Sequence, residues 1–180
     1  RVLGDLASKL RGKRFKRGGI DFNTEEVRFQ LDEAGKPLRV VIKRMKEANK
    51  LIEDFMLLAN VEVARFLAKV HPEKQTPTRT AVYRVHDRPD PEKLKQLRVF
   101  VQRFGHEMPK PTPGNAESLL RDLLAATAGT PEENTVKTMS IRTMAKAEYN
   151  TDNIGHYGLA FPYYTHFTSP IRRYPDVMVH

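Results

Sequence analysis

The spacing of apolar residues divides the chain into recognisable elements. Leu3, Leu6, Ala7 and Leu10 recur at helical intervals and predict a helix over residues 3–15, with its bases mainly on the opposite face. Gly18-Gly19 ends it. Short strands are predicted at 20–22, at 27–31, where Val27, Phe29 and Leu31 alternate, and at 38–42. The turn-like Asp32-Glu33-Ala34-Gly35 between the last two makes them a hairpin or meander. The longest periodic stretch covers 46–70, where Ala48, Leu51, Ile52, Phe55, Met56, Ala59, Val63, Phe66, Leu67 and Val70 trace one face of a helix that must be a central scaffold.

Beyond a loop with Pro72 and Pro77, "AVYRVHD" reads as a strand. "PDPEKLKQLRVFVQRFG" reads as a helix opened by proline, with Leu94, Leu97, Val101 and Phe104 inward. Asn115 can cap a helix to about Ala126, and Thr130-Pro131-Glu132-Glu133 another that reaches Tyr149. Strands early and helices through the middle predict an α+β fold, with helices packed on a sheet.

Composition narrows the picture. A chain of 180 residues, 39% hydrophobic and 29% charged, fits one soluble domain, and no apolar run approaches the roughly 20 residues of a membrane span. No signal or transit segment is visible at the start, and the absence of cysteine excludes disulfides and thiolate metal sites, so the cytoplasm is the simple expectation. The net charge of +9 favours polyanionic partners, although solubility alone can explain a basic protein. The excess is concentrated at the start, where Arg1, Lys9, Arg11, Lys13, Arg14, Lys16 and Arg17 face a single acid, Asp5. The chain begins at Arg1 and its last helical pattern runs to His180 without a stop signal, so a piece of a longer protein is expected.

Chemistry gathers in "GLAFPYYTHFTSPIRRYPDVMVH". Thr168 or Ser169 is a natural N-cap and Pro170 suits a first helical position, which predicts a helix from Ile171 with Arg172 and Arg173 at its positive end. Cations are disfavoured there unless solvated or compensated by an anion, so the pair is either a phosphate site or an ordinary surface feature. Tyr157, Phe161, Tyr163, Tyr164 and Phe167 add rings suited to stacking bases, most of them expected in the core with one or two reaching a ligand. His156, His166 and His180 lack a short metal-ligand spacing. On the long helix, Asn49, Glu53 and Asn60 fall within about 40° of one another at the edge of the apolar face, whereas Asp54 is expected to point to solvent. A carboxylate between amides suits a hydroxyl or metal-bound water, and equally an internal hydrogen-bond network.

The tail, with "RGGIDFNTEEVRFQLDEAGKP", "ANKLIEDFMLLANVEVARFL" and "VYRVHDRPDPEKLKQL" in order before it, closely resembles the ribonuclease II / ribonuclease R family, whose catalytic unit is the RNB domain. Within the family it is nearer to ribonuclease R. The resemblance implies an RNB-like mixed β-sheet with packed helices, and a monomeric parent that removes nucleotides processively from the 3′ end of single-stranded RNA with Mg2+, releasing 5′-monophosphates. It implies that Arg172 contacts the scissile phosphate, Glu53 holds the terminal nucleotide, and Phe22 stacks on the 3′-terminal bases. Tyr164 and Arg173 match motif places counted with the RNA-binding residues but carry no assigned role. The family's four closely spaced aspartates have no counterpart here. Asp87 and Asp90 are the nearest pair and belong to another segment. No metal ligand is therefore assigned in this chain. The ligands and a stacking tyrosine are expected upstream, the chain corresponding to the C-terminal half to two thirds of the catalytic domain and inactive alone. A non-catalytic RNA-binding module is the alternative, distinguished by whether an aspartate cluster lies upstream.

Overall fold

In the computed structural model, residues 1–20, 26–43, 45–69, 80–112 and 114–180 are described. Helix α1 (Val2–Lys16) carries Asp5 in its first turn and Lys13, Arg14 and Lys16 in its last, charges that oppose the helix dipole at both ends. Gly18, at φ +102°, takes the left-handed backbone that ends it, and a side chain there would collide with Glu117. Strands β1 (Glu26–Leu31) and β2 (Pro37–Lys43) form an antiparallel hairpin in which Val27 faces Ile42 and Phe29 faces Val40. Asp32 nucleates its turn by accepting the backbone N–H groups of Ala34 and Lys36. Phe22, expected just before this hairpin, lies outside the described residues.

Helix α2 (Glu47–Leu67) packs on α1 and is the long scaffold that its periodicity predicts. Asn49 caps it, its Oδ1 accepting the Lys46 N–H at 3.0 Å. The buried Ala64 and Leu67 pack against Ala81, Tyr83 and Val85, the last two on strand β3 (Tyr83–Val85). A second core joins α3 (Pro91–Gln102), α4 (Ala116–Ala126) and α5 (Glu133–Thr143) through Leu94, Leu97, Val101, Leu119, Leu120, Leu123 and Val136. At the start of α3, Asp90 accepts the Glu92 N–H at 2.8 Å and Pro91 fills the first turn. Phe104 lies beyond the end of α3 and is half-exposed, with its edge against Phe100, rather than facing the core.

Strand β4 (Glu148–Asn150) pairs antiparallel with β3, and a six-residue helix α6 (Tyr174–Val179) closes the chain. The strand content is thus two small antiparallel pairs within an α+β fold. Helix α5 stops six residues before Tyr149, because Met144 turns extended and the chain beyond it pairs with β3. Backbone pairing with β3 outweighs helix propensity there. Among the described residues no helix is long and apolar enough to cross a membrane.

Candidate nucleic-acid interface

Strand β3 organises the site. Its second edge is occupied by the aromatic tail, which runs beside it as an irregular strand: Arg84 N–H donates to Tyr164 O at 2.9 Å, His86 N–H to Gly155 O at 3.0 Å, and Tyr157 N–H to His86 O at 2.8 Å. Thr165 Oγ1 adds a bond to Val82 O at 2.6 Å. Asn60 ties the tail to α2, accepting Phe167 N–H at 3.0 Å and donating to the Tyr164 hydroxyl at 3.3 Å. Both amides on the edge of α2 are therefore engaged within the protein, Asn49 as a cap and Asn60 in this network.

Three imidazoles lie along the same edge. His86 and His156 have ring centres 4.9 Å apart, and Tyr164 sits edge-on to both His156 and His166. His86 donates from Nε2 to Ala145 O at 2.9 Å and accepts Gly158 N–H at Nδ1, an arrangement only the neutral ring can complete. Burial holds its pKa below the ordinary histidine value. Burial, reinforced by His86, pushes His156 down to about 3. Burial again, reinforced by Arg173, pushes His166 down to about 4, and its Nδ1 lies 2.7 Å from the Tyr149 hydroxyl. Arg84 stacks over Tyr149 at 4.6 Å. Tyr164 itself is buried among these rings, with burial raising its phenol pKa, so its place is in the support of the tail.

The arginine pair departs from the predicted geometry. Helix α6 starts at Tyr174, not Ile171, with Arg173 as its N-cap and Pro175 in its first turn. Pro170, Ile171 and Arg172 instead form a turn closed by Arg172 N–H to Ser169 O at 3.3 Å. The cause is Asp176. Its fully buried carboxylate accepts Ser169 N–H and Arg173 Nη2 at 2.8 Å each through Oδ1, drawing the chain back before a helix can begin. Burial alone would raise the Asp176 pKa, but the bonds from Arg173 and Ser169 hold it below the ordinary carboxylate value. Arg173 is thereby committed to Asp176, whereas the Arg172 guanidinium is exposed at the crest of the turn, with no hydrogen-bond or ion-pair partner among the described residues.

Glu53 is half-buried on the wall of a cavity of about 870 Å3, with Arg14, His86, Lys93, Arg142, Lys146 and His156 among the other lining residues. Its neighbour Asp54 does not face solvent. It is 4% exposed and accepts from Arg11 Nε at 3.0 Å and Nη2 at 2.8 Å, joining α1 to α2. Angles measured on α2 alone could not reveal that α1 covers its second face. Asp54→Ala leaves Arg11 without this partner in a partly buried place. We expect it to lower stability by about 3 kcal/mol, checked by urea unfolding, with Asp54→Asn costing less because an acceptor remains.

Of the residues singled out from the sequence, Tyr164 and Arg173 are built into the tail, Glu53 lines the larger cavity, Arg172 stands exposed and Phe22 lies outside the described residues, whereas Arg11, Arg14, His86 and Asp176 were not singled out for these places. The dense basic stretch at 1–17 and the "RYPD" step after Arg172 were the available signals. Among the described residues no group of three or more His, Asp or Glu side chains is gathered as a candidate metal site.

The structure is an α+β chain whose aromatic tail lines a strand and presents the Arg172 side chain at an exposed turn. A family model described as "RNB domain" matches residues 1–180, and the chain belongs to that family. It is similar to ribonuclease R of Aquifex aeolicus, 38% identical over 184 residues that cover 100% of this chain and 24% of that protein. The ribonuclease R of Thermotoga maritima is 41% identical, covering 98% of this chain and 24% of that protein. Among solved structures, Mycoplasma genitalium RNase R in complex with ribose methylated single-stranded RNA superposes with a TM-score of 0.83 at 30% identity, covering 99% of this chain and 27% of that one. The chain spans about a quarter of the length of these relatives.

Proposed function

We propose that the chain is part of a 3′-to-5′ processive exoribonuclease that hydrolyses single-stranded RNA to 5′-mononucleotides with Mg2+, working in the cytoplasm as a monomer. The observation that carries this reading is the Arg172 side chain, held out without a partner among the described residues by a turn that Asp176 locks, in a chain whose residues 1–180 match the RNB domain.

In each cycle water adds to the phosphorus of the last phosphodiester and the P–O3′ bond breaks. A nucleoside 5′-monophosphate leaves, and the shortened RNA keeps a 3′-hydroxyl. Charge grows on the non-bridging oxygens, and the Arg172 guanidinium, with N–H groups set to face them, stabilises it. Glu53 accepts a hydrogen bond from a hydroxyl of the terminal nucleotide. Phe22 stacks on the 3′-terminal bases. Tyr164 and Arg173 act as positioning residues, fixing the tail and the turn. The metal ligands belong to sequence preceding these residues, where bound Mg2+ would supply Lewis-acid stabilisation of the phosphoryl oxygens.

The test is an incubation of the 180-residue chain with a 3′-tailed RNA and Mg2+. Salt-sensitive RNA binding without mononucleotide release is expected. Release by this chain alone would overturn the assignment of the metal ligands to preceding sequence. Absence of binding would remove the RNA reading. An upstream sequence without clustered aspartates would favour a non-hydrolytic RNA-binding module.

A further inference from the structure

Arg14 borders two cavities. One is the Glu53 cavity; the other, of about 210 Å3, lies between α1 and α2, with Leu10, Leu57, Leu58, Val61 and Phe161 as its apolar lining. Lys13, Arg17 and Arg65 stand on the smaller cavity with Arg14, and both of its acids are already engaged, Asp54 with Arg11 and Glu62 with Arg65 at 2.6 Å. Lys93, Arg142 and Lys146 stand on the larger one opposite the single carboxylate of Glu53. The cavities therefore share a cationic lining in which Arg14 is common to both.

The local fold is built around this side chain. Gly19 N–H donates to Arg14 O at 3.1 Å, and a Cβ on Gly19 would approach Arg14 Cγ to 2.9 Å, so only glycine lets the turn close against the arginine stem. The guanidinium lies 4.9 Å from the Phe15 ring centre. Its Nε is buried and has no hydrogen-bond partner among the described residues. A buried donor on a fixed cation, left unsatisfied beside two open cavities, calls for an anionic acceptor.

We propose that Arg14 binds a backbone phosphate of the RNA strand where the two cavities meet, a contact separate from Arg172. This rests on the single-stranded RNA reading above and extends it to the basic first helix, which that reading leaves unused. The apolar lining of the smaller cavity accommodates a base or ribose face beside the phosphate, as in other single-strand grooves.

The experiment is fluorescence anisotropy of a labelled oligoadenylate RNA with the 180-residue chain across a salt series. Arg14→Ala should weaken binding about 10-fold and flatten the log–log salt slope by about 0.7, the value for one phosphate contact on a single strand. Arg14→Lys should restore the slope but not the affinity, because the ammonium cannot reproduce the guanidinium geometry. Gly19→Ala, which displaces Arg14 while keeping every charge, should weaken binding too. Lys36→Ala, on the hairpin turn, is the control that leaves affinity unchanged. Thermal unfolding of each variant separates lost contact from lost fold. Wild-type binding with an unaltered Arg14→Ala affinity and slope would overturn the proposal alone. No binding by the wild-type chain would overturn both it and the RNA reading.

Discussion

Replacing Arg172 with alanine in the full-length enzyme is expected to lower kcat on the order of 10²–10³, as loss of one preorganised donor does elsewhere, while the KM for RNA changes little. The asymmetry follows from the geometry. The Arg172 side chain has no partner among the described residues to leave unsatisfied and is exposed, so its removal creates neither a cavity nor an orphaned charge there. In the proposed role its stabilisation acts where phosphoryl charge develops, while a long strand would keep its other contacts. Arg172→Lys should recover only part of the loss, because a single ammonium cannot present two parallel N–H groups. Single-turnover release of mononucleotide from the 3′ end measures the effect. Unchanged turnover in Arg172→Ala would remove the assigned role. A loss appearing wholly in KM would make Arg172 a binding residue only.

Arg173→Ala is a different experiment, although the two arginines are adjacent. It leaves the fully buried Asp176 carboxylate with only the Ser169 N–H of its two Oδ1 donors and loosens the turn itself. A sequence shows two neighbouring cations. Only the return of the chain onto Asp176 separates one committed to the fold from one presented to solvent.

The same distinction marks what was legible in the chain. The scaffold α2, the β1–β2 hairpin and the proline-opened start of α3 depend on spacing and turn chemistry within a few residues, and each was foreseen. The early end of α5 depends on β4 meeting β3 across more than sixty intervening residues, which no local propensity reports. Glu53 was placed correctly at the margin of the interior because its own helix decides that. Asp54 was misplaced because α1, a weakly amphipathic helix with only Ala7 buried, supplies the partner that inverts its environment. Arg14 escaped notice for the same reason: among seven bases in the opening stretch, only the folded Gly18-Gly19 turn singles it out.

The tail should also make the fold acid-sensitive well above the pH at which ordinary carboxylates protonate. His156 and His166 titrate at about 3 and about 4 in the folded chain, against 6.5 for an unperturbed histidine, and His86 is lowered as well. Because the unfolded chain takes up these protons first, the neutral rings contribute stability in full above about pH 6.5, and the contribution is lost as pH falls towards their folded values. Discounted for the partial exposure of His166, the loss is on the order of 5 kcal/mol, a large share of the stability of an ordinary domain. Asp176 adds to it only lower down, below its ordinary value of 3.8. Protonated His86 cannot accept the Gly158 N–H, and a charged His156 or His166 would face Arg84 and Arg173. The β3 edge would therefore release the tail, and Arg172 with it, before the α3–α4–α5 core has any reason to open. Urea unfolding between pH 7.5 and 4.5 measures the slope, expected to steepen below pH 6.5 towards about 1.4 kcal/mol per pH unit for each histidine that protonates only on unfolding. His166→Gln, which cannot titrate, should remove one such contribution. A stability flat from pH 7.5 to 5 would mean that these rings carry charge in the folded state, and the neutral-histidine support of the tail would be wrong.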